Sequence, residues 1–87
     1  MVSGIVVIEA PNGMHARPAG ELVKLVRTLE SSKVTFKTSK KEVNAGSVLS
    51  VLSLGLKRGA ELTVNVEGGN EEQALESVIS FIRNIDK

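Results

Sequence analysis

Along this chain the spacing of apolar residues switches between a period of two and a period near 3.6, and the switches divide it into successive elements. Residues 2–9 read as a strand. Val6 and Ile8 share one face, Val7 and Glu9 the other, and the charge on Glu9 assigns Val6 and Ile8 to the core. From about residue 16 to about residue 29, Ala19, Leu22, Val23, Val26 and Leu29 recur at helical spacing. Glu21, Lys24, Arg27 and Glu30 fall largely on the wet side, and Glu21 is expected near the first turn, where a carboxylate suits the helix dipole. Ser31-Ser32 breaks that pattern. Residues 33–38 alternate with Val34 and Phe36 inward, Ser39-Lys40 makes a hairpin turn, and residues 42–44 form a short third strand.

Ser47 is a natural N-cap for a short helix that Gly55 ends. That helix carries Val48, Leu49, Val51, Leu52 and Leu54, more apolar surface than one buried stripe requires. Two readings stand level: Val48, Leu49 and Leu52 are exposed and sticky, or the helix is buried on most sides. Residues 61–67 alternate with Leu62, Val64 and Val66 inward, and the absence of proline suits an interior strand. Asn70 caps a last helix, with Gln73 placed to complete a capping box, and Ala74, Leu75, Val78, Ile79, Ile82 and Ile85 form its apolar stripe. The order βαββαβα predicts a single α+β domain, with helices packed on one face of a small sheet.

The chemistry concentrates where the first strand turns into the first helix. Asn12-Gly13 is a turn signal, Pro18 suits a first helical turn, and His15, the only histidine, stands between them. A helix start disfavours imidazolium, which keeps the ring nucleophilic around neutral pH, and its unpaired N–H groups, those of Ala16 and Arg17, welcome an anion. The Arg17 guanidinium offers a fork of donors to phosphate oxygens. These parts suit a phosphoryl acceptor. On these residues alone, an ordinary hydrogen-bonded histidine and a solvated arginine remain the simpler account.

Composition narrows the classes. The chain has no cysteine and a single histidine, which rules out a disulfide framework and thiolate or histidine-rich metal sites. A net charge of +1 gives no reason to expect nucleic acid or membrane as main partner. Lys33, Lys37, Lys40 and Lys41 cluster around the hairpin, but two phenylalanines and no tyrosine or tryptophan offer little for base stacking, so these lysines read as protection of a sheet edge. Gly68-Gly69 lacks the following lysine-serine or lysine-threonine pair of a phosphate loop. The apolar run in residues 2–8 is too short to span a membrane and lacks the charged start of a signal peptide, so a cytoplasmic protein is expected.

Two stretches carry a resemblance. Gly13-Met14-His15-Ala16-Arg17-Pro18-Ala19 resembles the active-site signature of the HPr family of phosphocarrier proteins, from the phosphoenolpyruvate-dependent sugar phosphotransferase system. Val43-Asn44-Ala45-Gly46-Ser47-Val48-Leu49-Ser50-Val51-Leu52-Ser53-Leu54-Gly55 resembles that family's regulatory-serine segment, and Lys57-Arg58-Gly59-Ala60-Glu61 continues the match. Two motifs in the expected order, in a chain of the expected length, are highly specific.

The resemblance implies one domain spanning 1–87, an open-faced sandwich of four antiparallel strands with three helices on one face, and a stoichiometric carrier rather than an enzyme, with no cofactor and no metal. Enzyme I would phosphorylate His15 on Nδ1, and sugar-specific enzyme IIA domains would take the group onward. Arg17 and the backbone of Ala16 and Arg17 would hold it, and Val48, Leu49 and Leu52 would form the docking patch. Ser47 matches the serine that an HPr kinase/phosphorylase modifies in many Gram-positive lineages. A monomer that neither binds nucleic acid nor inserts into membrane is expected. The chain departs from the pattern at Gly46, where many members carry lysine, at Gly20, where alanine or threonine is usual, and at Leu49 and Leu52, often methionine in the Gram-positive branch. A carrier in a regulatory or nitrogen-related phosphorelay, or a passive interaction domain, are the alternatives.

Overall fold

The computed structural model describes residues 1–85. The alternating segments form strands β1 (Val2–Val7), β2 (Lys33–Lys37), β3 (Glu42–Asn44) and β4 (Glu61–Glu67). The segments of longer period form helices α1 (Ala16–Thr28), α2 (Val48–Leu52) and α3 (Glu71–Arg83). The strands make one antiparallel sheet in the order β1-β4-β2-β3, so the last strand of the chain lies inside it. β1 ends two residues earlier than its sequence pattern suggests. The backbone nevertheless stays tied there, with Ile8 N–H donating to Ala60 O at 2.9 Å and Gly59 N–H donating to Ile8 O at 2.7 Å.

Register explains the core. Gly4 pairs with Val64, Val64 with Phe36 and Phe36 with Val43, which lines inward positions up across all four strands. Leu62, Val64, Val66 and Phe36 are fully buried under the helices, together with Leu22 and Val78. A fully buried side chain of this size contributes about 1.5–3 kcal/mol. Gly4 has a packing reason: a Cβ there would lie 2.7 Å from Ile79 Cδ1, so its absence lets α3 settle closely on β1. The opposite face of the sheet is open, and Ile5 and Val7 of β1 stand exposed on it.

Two local expectations change in detail. Asn70 caps α3 by accepting from Gln73 N–H at 3.4 Å, but Gln73 Oε1 accepts from the Asn70 side-chain amide at 2.8 Å and not from the cap's backbone. Glu21 lies beyond the first turn of α1, which holds no acidic residue, and its Oε1 stands 4.0 Å from Arg17 Nε, one turn back on the helix surface.

The start of α3 also ties down the N-terminus. Glu71 Oε2 accepts the Gly68 N–H at 2.8 Å and lies 3.2 Å from the Met1 ammonium. The Gly68 hydrogen bond first, and the ammonium after it, hold the Glu71 carboxyl below its ordinary value. A carboxyl depressed in the folded state contributes its stability above the ordinary pKa and loses it as pH falls through the depressed one. Glu71→Gln is therefore expected to melt below the parent at neutral pH, with the gap closing on acidification. Thermal melts across that range check this, and a gap independent of pH would contradict it.

Candidate functional site

The link between β1 and α1 is held at several points. Gly13 adopts φ +66, a left-handed conformation natural to glycine. Its N–H donates to Ala10 O at 2.9 Å, and the next N–H, of Met14, donates to Leu56 O at 2.8 Å. Ala10 and Met14 are buried. The turn is thus anchored both to Ala10, three residues past β1, and to the segment that follows α2.

That anchoring delivers His15 as the N-cap residue of α1, with extended backbone angles of φ −95 and ψ −177. Its carbonyl accepts the first helical bond, from Ala19 N–H at 3.0 Å, while its side chain makes no capping bond. The ring is half-buried and its Nε2 atom is shut away from solvent. The N–H groups of Ala16 and Arg17 have no acceptor inside the helix, and Pro18, buried at the third position, has none to satisfy. A helix of 13 residues with no acid in its first turn presents its positive end undiminished at His15.

The other residues singled out in the sequence are spread along this face. Arg17 extends into solvent, with 87% of its side chain exposed. It lines a shallow cleft with Pro18, Glu21, Phe81, Asn84 and Ile85, between the start of α1 and the end of α3. Ser47 caps α2 by accepting from Ser50 N–H at 3.4 Å. Of the apolar residues of α2, Leu49 stands 81% exposed, Val48 and Leu52 are half-buried against the core, and Val51 is fully buried. The helix is therefore neither uniformly sticky nor uniformly covered: it is seated through Val51 and presents Leu49 outward.

α2 packs beside α1 with its ends placed by two bonds. Arg27 Nη2 donates to Gly46 O at 3.2 Å, which puts the start of α2 near the C-terminal end of α1. The bond from Met14 to Leu56 brings the chain after α2 back to the His15 turn. At 1.5 Å of rise per residue, Arg27 stands about 18 Å along the helix from His15. The segment before α2 is thus tied to the far end of α1, and the segment after it to the His15 turn, with Leu49 on the helix in between.

The family model described as "PTS HPr component phosphorylation site" matches residues 2–84. This chain belongs to the HPr family. Among its relatives, phosphocarrier protein HPr of Lysinibacillus sphaericus is 40% identical over 72 residues, covering 83% of this chain and 81% of that one. Phosphocarrier protein HPr of Haemophilus influenzae is 35% identical over 86 residues, covering 99% of this chain and all of that one. The crystal structure of a phosphocarrier protein HPr from Bacillus anthracis superposes with a TM-score of 0.86 at 30% identity, covering 92% of this chain and 94% of that one. As a member of the HPr family, the chain is a phosphocarrier of the phosphotransferase system, a protein that carries a group rather than a catalyst. No helix among the described residues is long and apolar enough to cross a membrane.

Three features of the site lie outside what periodicity can reveal. Burial of His15 Nε2, the Leu56 anchor of the turn and the Arg27 bond to Gly46 all depend on contacts between residues distant in sequence. For Arg27 a signal existed: it stands on the wet side of α1, yet residues 43–55 carry no charge of their own.

Proposed function

We propose that His15 accepts a phosphoryl group on Nδ1 from phosphorylated enzyme I and passes it to enzyme IIA domains during sugar uptake. In each step the phosphorus–nitrogen bond on the donor histidine breaks as a new one forms on the acceptor ring, with the two nitrogens in line. The observation that carries this reading is that His15 occupies the N-cap of α1 without its side chain being used as a cap. Burial of Nε2 supports Nδ1 as the reacting atom. The Ala16 and Arg17 N–H groups and the helix dipole stabilise the phosphoryl oxygens, and the exposed Arg17 side chain swings in to add its donors. Moderate stabilisation is the requirement, because a carrier that holds the group too well cannot pass it on. No metal or cofactor takes part, and the chain works as one monomeric domain in the cytoplasm.

Docking uses the face beside His15. Leu49 is the apolar side chain that α2 offers, with Val48 and Leu52 forming its base. A small apolar contact suits partners that must associate and part quickly. Ser47 is the regulatory position, modified by an HPr kinase/phosphorylase. A phosphate there acts on docking, by placing a charge that must be desolvated beside Leu49.

The test is incubation with phosphoenolpyruvate and enzyme I, with one acid-labile phosphoryl group expected per chain. Leu49→Ala is expected to lower the rate of transfer from enzyme I about tenfold, the loss of a contact worth roughly 1.4 kcal/mol, with no change in melting temperature. Stopped transfer assays beside thermal melts check this, and an unchanged rate would remove Leu49 from the interface.

A further inference from the structure

The segment that carries Ser47 lacks a cation of its own. Residues 43–55 contain no charged side chain, and Gly46 directly precedes the serine. α2 is five residues long, too short to supply much dipole to a dianion. The charge comes instead from α1. Arg27 reaches across and donates from Nη2 to the Gly46 carbonyl at 3.2 Å, the carbonyl of the peptide that joins Gly46 to Ser47. The same residue is held from its other side, where Asn44 Oδ1 accepts the Gly46 N–H at 2.7 Å, so the loop presents Ser47 in a defined place.

We infer that Arg27 is the residue that holds a phosphate on Ser47. This rests on reading Ser47 as a modified residue. The phosphate arrives when the Ser47 hydroxyl oxygen bonds the terminal phosphorus of a nucleoside triphosphate. The bond from that phosphorus to the bridging oxygen breaks, the nucleoside diphosphate leaves, and the hydroxyl proton passes to the modifying enzyme's base. In the unmodified chain the guanidinium rests on the Gly46 carbonyl. A phosphoryl group on the neighbouring serine brings stronger acceptors within reach, and the fork of donors shifts to them without any movement of α1 or α2. The arrangement supplies from α1 the positive charge that a residue at position 46 would otherwise bring. The elements packed against α2 are α1 and β3. Their other charged groups are Arg17, Glu21 and Lys24 of α1 and Glu42 of β3, whose Oε2 accepts from the Asn65 amide at 3.4 Å. Lys24 stands one turn from Arg27 on the same side and serves as the control.

The experiment installs phosphoserine at position 47 during translation in the full chain, and follows its phosphorus resonance by NMR through the second ionisation, near pH 6 for an exposed phosphoserine. A cation in contact favours the dianion and lowers that pKa. The parent protein is expected to titrate about half a unit below Arg27→Gln, while Arg27→Lys recovers part of the shift and Lys24→Gln stays close to the parent. High salt should raise the parent's value toward that of Arg27→Gln. Identical titrations of parent and Arg27→Gln, or a shift that follows Lys24, would overturn the inference. If Arg27→Gln failed to fold, the salt response of the parent and the Lys24→Gln titration would decide in its place. Because the phosphate is built in, the result does not depend on phosphoryl transfer at His15: a null titration leaves the carrier reading standing, and an unlabelled His15 leaves the Arg27 result standing.

Discussion

His15→Ala is expected to accept no phosphoryl group from enzyme I while keeping the fold and nearly all of the stability. The two halves of that result have separate causes. In the proposed transfer the imidazole is the nucleophile, and no second histidine exists to replace it. The side chain, however, makes no capping bond to α1 and is only half-buried, while the backbone carbonyl that starts the helix survives the substitution. Stability should stay within about 0.5 kcal/mol of the parent. Labelling from phosphoenolpyruvate through enzyme I, beside a denaturant melt, reads both. A folded His15→Ala protein that still takes up acid-labile phosphate would place the acceptor elsewhere.

Gly13→Ala is expected to damage both stability and transfer, although position 13 is itself buried. The left-handed backbone at φ +66 costs an alanine about 1–2 kcal/mol. A Cβ would also run into the Leu56 carbonyl oxygen, and come within 3.0 Å of Lys57 Cα. These are backbone atoms of the segment that anchors Met14, so the clash is relieved only by moving the turn that aims His15. The expected total is roughly 2 kcal/mol or more of lost stability. A nucleophile displaced by about 1 Å loses on the order of a hundredfold in transfer rate. Equilibrium melts and single-turnover transfer from enzyme I measure the two losses. A Gly13→Ala protein that transfers at the parent rate would show that the Leu56 anchor does not position the histidine.

The patterns most readable in the chain are those that a single element settles. The alternation of Leu62, Val64 and Val66 gives the bounds of β4, and its lack of charge on the inner face agrees with an interior place in the sheet. Ser47 and Asn70 are legible as caps because a cap acts within one turn of its own helix. Glu21 misleads for a related reason: helical spacing shows which side it occupies, but its distance from the first turn depends on His15 being the cap. The apolar excess of α2 was open to two readings because exposure depends on what packs against it. The contact with α1 and β3 buries Val51 and leaves Leu49 outside. Similarly, the motif around His15 singles out the proposed acceptor, whereas the anchoring of its turn by Leu56 joins segments far apart in the chain.

The proposed transfer uses one nitrogen of one histidine. Nitrogen-15 NMR of the labelled chain, recorded after incubation with phosphoenolpyruvate and enzyme I, tests it most directly, because the two ring nitrogens of His15 report separately. A single phosphorus–nitrogen coupling at Nδ1 of His15, with the sheet resonances unchanged, is the predicted result. Coupling at Nε2, which the structure buries, or phosphate found on any other residue while His15 stays unmodified, would contradict it.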